Sequence, residues 1–315
     1  MPNRVPTEDS WLRKFLNVYW LRPENALWRT LSAKSMEGLE ITQPSLDLSC
    51  GDGILSFLLA GGDFAYDFDI FQGTSNIDGF YDDVDIYNAA PEEYAPTVTK
   101  RPSYNITVGT DWKENLLDKA AKLDFYDELV EHDNNDPLPF DDGRFQTVYT
   151  NSAYWVENID LHLREIRRVM ADGGKGIIQL KTTHVNEFLE LLRTQYAEYI
   201  GDNLVDIIDR GRSENKKHLH DDDGWVRRIE DAGLRVVDQY MPVTFVHMRL
   251  WDIGLRPISP HMIQTSNCLS DSQRAGIKRN WIDSWVDLLE PFADPGFSFG
   301  QDRAPPEIMY VVEPA

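Results

Sequence analysis

The stretch Ser45-Leu46-Asp47-Leu48-Ser49-Cys50-Gly51-Asp52-Gly53, with Ile54-Leu55-Ser56-Phe57-Leu58-Leu59-Ala60 behind it, decides the fold. Its first half is a short apolar run that reads as a buried strand. The second half is an apolar stretch that reads as a helix. Glycines between them allow a tight turn and let a ligand approach the backbone with no Cβ in the way. A single turn of this kind is weak evidence, so the neighbouring segments carry the argument.

Downstream, Ile106–Asp111 reads as a second strand, Glu128–Asp133 as a third and Phe145–Thr150 as a fourth. Helical segments follow at Lys113–Leu123 and Leu161–Met170, then a turn at Asp172-Gly173-Gly174 and a fifth strand at Gly176–Leu180. Strands alternating with helices predict parallel βαβ units in an open, doubly wound α/β sheet. Upstream, residues 8–38 read as helical, divided at Arg22-Pro23-Glu24 because proline cannot continue a helix. Beyond 181 the pattern predicts a long helix at Val185–Tyr199, a polar segment at Asp209–Asp223 and a helix from about Gly224-Trp225. A strand at Leu234–Tyr240, a mixed region at 242–303 and a last strand at Ile308–Val312 complete the chain. Residues 61–104, rich in Asp, Gly, Tyr and Phe, break the alternation and read as an insertion.

Composition excludes several classes. The chain has 315 residues, 31 Lys+Arg against 53 Asp+Glu, a net charge of −22, and 42% hydrophobic and 11% aromatic residues. That is too much aliphatic and aromatic material for a disordered chain. A nucleic-acid partner is excluded as an expectation, because the charge repels a phosphate backbone and no basic stripe offsets it. No window approaches the ~20 apolar residues of a membrane span. Met1–Ser10 carries Arg, Glu and Asp with no apolar segment, which points to a cytoplasmic protein. Cys50 and Cys268 are too few for a disulfide framework or a paired-cysteine metal site.

The polar residues at the strand ends form a constellation. Asp111, with Trp112 beside it, ends the second strand, Asp133-Asn134 the third and Asn151-Ser152 the fourth. Open α/β sheets bind ligands at the carboxyl ends of their strands. There a carboxylate can accept hydrogen bonds from both hydroxyls of a ribose, and an acceptor beside a backbone N–H can read an adenine edge.

Together these segments resemble a class I S-adenosylmethionine-dependent methyltransferase. The likeness lies in Leu46–Gly53, Asp111, Leu129–Asp133, Leu138–Phe145 and Leu163–Val169 with Gly173-Gly174. It covers roughly 45–180 apart from the insertion. Trp20-Leu21-Arg22-Pro23-Glu24 and the segment His218 to Trp225 resemble more loosely a bacterial small-molecule branch with no assigned substrate.

The resemblance implies a Rossmann-like, mostly parallel seven-stranded sheet. It implies a helical cap over 1–44, a cofactor-binding core over 45–241 with the insertion 61–104, and an acceptor-pocket region with the last strand over 242–315. It assigns Asp47, Ser49, Gly51 and Gly53 to the turn beside the methionine part of the cofactor. Asp111 and Trp112 go to the ribose side, Asp133 and Asn134 to adenine, and Asn151 to the crevice floor. Ser49 stands where the family has glycine, which a small residue tolerates if its φ is negative. Tyr154-Trp155-Val156 stands where many relatives carry a Glu-His pair, so no acid–base residue is copied from there.

The implied activity is methyl transfer to a small or medium polar acceptor, on oxygen in preference to nitrogen or carbon, with a saccharide as the first candidate. His184, His218, His220 and Tyr154 are the candidate catalytic residues, and Trp155 shares the exit of the fourth strand. His218-Leu219-His220-Asp221-Asp222-Asp223 admits a metal-site reading, but three carboxylates before a helix fit capping better, and no metal is expected. The insertion's aromatics and carboxylates fit a flap over the sheet with its acids toward water, or a lid that binds hydroxylated compounds. Two alternatives stay open: a silent cofactor-binding protein, and an NAD-dependent enzyme on a related sheet. The latter lacks the third glycine of its phosphate turn.

Overall fold

The computed structural model describes residues 10–72, 94–187, 197–202, 205, 218–253, 259–300 and 303–315. Two helices open the chain, α1 (Trp11–Tyr19) and α2 (Pro23–Met36). The Ser10 hydroxyl accepts from the Arg13 N–H to cap α1, and Pro23 starts α2 in the first turn, where its missing N–H costs nothing. The break between the two helices thus falls at the predicted proline.

The core is a seven-stranded sheet. Its strands are β1 (Ser45–Leu48), β4 (Ile106–Asp111), β5 (Tyr126–Glu131), β6 (Phe145–Thr150), β7 (Met170–Lys181), β8 (Leu234–Val243) and β9 (Glu307–Pro314). A separate antiparallel pair, β2 (Asp63–Phe64) with β3 (Val98–Lys100), stands in the insertion. The sheet order is β5-β4-β1-β6-β7-β9-β8. β1 runs parallel to β4 and β6, β4 to β5, and β6 to β7, whereas β9 is antiparallel to both neighbours. The order reverses on either side of β1, so the ligand crevice of an open α/β sheet opens at its carboxyl tip.

Helices α3 (Ile54–Leu59), α4 (Glu114–Ala121), α5 (Ile159–Val169) and α6 (Asp222–Asp231) connect the strands. Within 242–303 three more helices appear: α7 (Phe245–Ile253), α8 (Ser259–Asn267) and α9 (Asp271–Leu289). The predicted helix Val185–Tyr199 lies largely outside the described residues.

Two expectations about the strands shift. β5 ends two residues before its predicted end because its register pairs Asp111 with Glu131, so both strands stop together and residues 132–136 form the turn. The predicted turn at Asp172-Gly173-Gly174 lies inside β7. Gly173 takes φ +73°, and the pairing with β6 slips between Phe145 and Thr147, so the extra residues form a bulge.

In the insertion, Phe64, Phe68, Phe71 and Tyr94 are buried in the main core with Phe15, Tyr19, Phe57 and Phe125. The expectation of acids facing water fails at Asp69. Its side chain is 4% exposed, pairs with Arg274 Nε at 2.8 Å and accepts from the Trp20 indole N–H at 2.9 Å. Lys278 of α9 donates to the carbonyls of Tyr66 and Phe68. The stretch Tyr66–Asp69 is therefore clamped between the end of α1 and α9. Asp78, Asp82, Asp83 and Asp85 lie outside the described residues.

Candidate active site

The turn after β1 is built from three residues in the left-handed region: Ser49 at φ +60°, Gly51 at +59° and Gly53 at +74°. The two glycines serve different ends. A Cβ on Gly53 would sit 2.8 Å from the Tyr126 ring and 3.1 Å from Leu123. A Cβ on Gly51 would meet nothing within 4 Å and would project into open space above the turn. Ser49 corrects the expected negative φ, at a cost of about 1 kcal/mol for a residue with a Cβ. Its hydroxyl accepts from Asn134 Nδ2 at 2.8 Å, which ties the turn to the residues after β5.

Three carboxylates surround this turn. Asp111, buried at the tip of β4, accepts the Gly51 N–H on Oδ2 at 3.0 Å and the Lys113 N–H on Oδ1 at 2.9 Å. Asp47, buried in β1, accepts from the hydroxyls of Ser56 and Tyr126 on Oδ2. Asp52 accepts the Ile54 N–H at the start of α3.

Burial pushes the Asp47 carboxyl up to about 6, with the Asp111 charge adding to the rise and the two hydroxyls opposing it. Burial likewise raises Asp111, against the Lys113 and Gly51 N–H groups, and Asp52, against the Arg29 charge. The Cys50 thiol is raised by burial and by these same acids, which keeps it neutral. A pyrophosphate would be repelled here, whereas a cationic ligand relieves the repulsion.

The remaining predicted residues spread over the same edge. Asn134 is buried, and its Oδ1 has no partner among the described residues. Asp133 is exposed, and its Oδ1 accepts from both the backbone and the side-chain amide of Asn135, each at 2.9 Å. Asn151 is half-buried at the tip of β6, and Trp112 is 64% exposed beside Asp111. The hydroxyls of Thr110, Thr150 and Ser152 at these tips are buried without partners among the described residues. Open space over Gly51, an orphaned amide oxygen on Asn134 and acids around the turn fit a cationic nucleoside with polar edges.

The four candidate catalytic residues separate. His184 is paired with Glu187 at 2.7 Å just beyond β7. His218 is half-buried, with Nε2 unpartnered among the described residues. His220 stands edge-on to Trp225 at 4.7 Å, and burial lowers its pKa. Its carbonyl accepts the Thr183 N–H, so this segment lies against the end of β7. Asp221 caps α6 by accepting from Gly224, as the capping reading expects. Tyr154 leaves β6 with its ring 4.4 Å from the Lys181 ammonium, and Trp155 beside it is 47% exposed.

Sequence reading missed Tyr126 and Ser56 as partners of Asp47. It also missed Lys181 and Glu307, which face each other across β7 and β9. Lys181 ends the fifth strand just as Asp111 ends the second, and that position was its only signal in the sequence.

The sequence match covers part of the sheet. A methyltransferase-domain model matches residues 92–178, the span that carries β4 to β7. Combined with a seventh strand inserted antiparallel between the fifth and sixth, it separates the chain from the all-parallel dinucleotide order. Residues 92–178 are thus similar to a methyltransferase domain.

Solved structures similar to this chain include the [4+2]-cyclase SpnF, at 13% identity over 93% of this chain and 82% of that one, with a TM-score of 0.46. Another is a TehB-like methyltransferase from Corynebacterium glutamicum, at 12% identity, 90% and 88% coverage and a TM-score of 0.41. A third is the geranyl diphosphate C-methyltransferase of Streptomyces coelicolor, at 13% identity, 90% and 77% coverage and a TM-score of 0.41. No curated protein matches the chain. Among the described residues, no helix is long and apolar enough to cross a membrane.

Proposed function

We propose that the chain is a class I S-adenosylmethionine-dependent methyltransferase that acts on an oxygen of a small or medium polar acceptor, with a saccharide or a similarly hydroxylated ring as the first candidate. One observation carries the reading. Ring faces of Trp28, Tyr154 and Trp251, from three separate elements, converge at the end of β7 beside the buried Glu307. Flat aromatic faces stack on the C–H faces of a sugar, and a carboxylate accepts from its hydroxyls. The acceptor region is thus drawn from the cap (1–44), the exit of β6 and the C-terminal region (242–315).

In this reading Gly51 and Gly53 leave room beside the cofactor's methionine part, and Asp47 and Ser49 fix the turn's shape. Asp111, with Trp112 alongside, takes the ribose hydroxyls. Asp133 and Asn134 face the adenine, and Asn151 lies on the crevice floor. When bound, the cofactor supplies a methyl group on a sulfonium, already a good leaving group. The protein therefore mainly aligns an acceptor and excludes water. Among the catalytic candidates Tyr154 is favoured, because it alone of the four reaches the aromatic cluster. His184, His218 and His220 serve as pocket-edge residues.

The test is incubation with cofactor carrying a labelled methyl group and a panel of saccharides, read by mass spectrometry. Labelled methyl ethers support the reading. Label only on nitrogen or carbon acceptors, or no labelled product while the cofactor still binds, overturns it.

A further inference from the structure

Lys181 is the charged residue the cofactor cradle does not use. It ends β7, is 8% exposed, and opposes Glu307 in the β7–β9 register. Its ammonium lies 4.4 Å from the Tyr154 ring centroid, 5.7 Å from that of Trp251 and 5.8 Å from that of Trp28. Trp28 and Trp251 are 5.2 Å apart, and the Trp251 indole N–H donates to Asn25. The box therefore spans α2, the exit of β6 and α7.

The ammonium's hydrogen bonds are unfilled within the described residues. No acceptor among the described residues receives one, and Oε1 of Glu307, its register partner, is taken by Gln179 Nε2, which also reaches Ser32. Lys181 is only 8% exposed, so its ammonium is partly stripped of water, and ring quadrupoles offset only part of that cost. Glu307 balances the charge from across the strand pair without saturating the donors. The arrangement suits a ligand oxyanion carried on a flat ring. It rejects amines, which the ammonium repels.

We propose that Lys181 is the specificity-determining residue of the acceptor site, recognising a carboxylate carried by the acceptor's ring. The inference rests on the acceptor region assigned above and narrows it to acidic ring compounds. A sugar acid and an aryl acid share this chemistry, so both are tested.

The experiment is calorimetry on the full chain saturated with S-adenosylhomocysteine. Glucuronate is compared with glucose, and 4-hydroxybenzoate with its methyl ester. At least one acid is expected to bind roughly tenfold or more tightly than its neutral counterpart, as for a desolvated charge-assisted contact. In Lys181→Met that preference falls to about one, and in Lys181→Arg it persists, with S-adenosylhomocysteine affinity unchanged in both. A purely structural Lys181 would leave the preference intact or weaken acid and neutral compound equally, and either result overturns the proposal. So does equal binding of acid and neutral compound, or no binding of either acid, in the native protein, a comparison that needs no variant. An acid that binds in this way yet is never methylated on oxygen would sink the oxygen-acceptor reading and leave Lys181's role standing.

Discussion

Asn134 donates from its side-chain amide to the Ser49 hydroxyl at 2.8 Å, and so bolts the turn after the third strand to the turn after the first. Ser49 holds a left-handed backbone that a residue with a Cβ adopts reluctantly. The hydrogen bond and the strain are thus joined in one residue. Asn134→Ala removes the bond and leaves the strain, and should lower stability by about 1 kcal/mol. Ser49→Gly removes both and should leave stability within about 0.5 kcal/mol of the native value. Urea denaturation of the two variants checks the ranking, and a larger loss in Ser49→Gly would contradict it.

The two glycines of the same turn should fail differently. Gly53→Ala drives a Cβ against the Tyr126 ring at 2.8 Å while holding φ at +74°, so the fold itself should suffer. Gly51→Ala meets open space, and its backbone strain of about 1 kcal/mol should leave a folded protein whose cofactor binding is weakened. Melting curves with and without S-adenosylhomocysteine separate the cases. The ligand-induced rise in Tm should shrink for Gly51→Ala, whereas the ligand-free Tm should fall further for Gly53→Ala.

Asp111 holds Gly51 and Lys113 by their backbone N–H groups and sits where ribose hydroxyls are proposed to bind. Asp111→Ala should weaken S-adenosylmethionine binding by about 1–3 kcal/mol, the cost of stranding buried hydroxyl partners. Calorimetry showing unchanged affinity would remove Asp111 from the ribose side.

Asp47 makes the protein's stability depend on pH in a defined direction. Its carboxyl titrates near 6 when folded and near 3.8 as a free side chain, so the folded state binds more protons between those values. Stability from this group is therefore present at low pH and lost as pH rises through about 4 to 6. Asp47→Asn abolishes the loss. The variant should melt above the native protein at pH 8, and the gap should close below pH 4. A gap of equal size at both ends would show that burial of the charge is not the cause. The same variant should bind the cationic cofactor less tightly at pH 8, because one of the acids around the turn is gone.

The sheet and its cofactor edge were legible because each signal is local. Apolar runs, the glycine turn and the acid after Ile106–Thr110 all lie in short windows of sequence. What was not legible depends on contacts between distant segments. Asp69 looked like a solvated acid until Arg274 and Trp20 closed over it from more than a hundred residues downstream and from the N-terminal cap. Asp47 read as a ligand-facing residue, yet its Oδ2 is occupied by Ser56 and Tyr126. The Lys181 box needs α2 and α7 to meet the end of β7, and no periodicity in any one segment announces that meeting. Ser49 misled for the opposite reason: a small polar residue reads as tolerant, and the strain appears only in its backbone angle.

A co-crystal structure with S-adenosylhomocysteine tests the account most directly. The ribose hydroxyls should lie within hydrogen-bonding distance of Asp111, the adenine beside Asn134, and the amino-acid part over Gly51. Ligand bound elsewhere on the sheet, or a crevice that stays closed by the chain at saturating ligand, would contradict it.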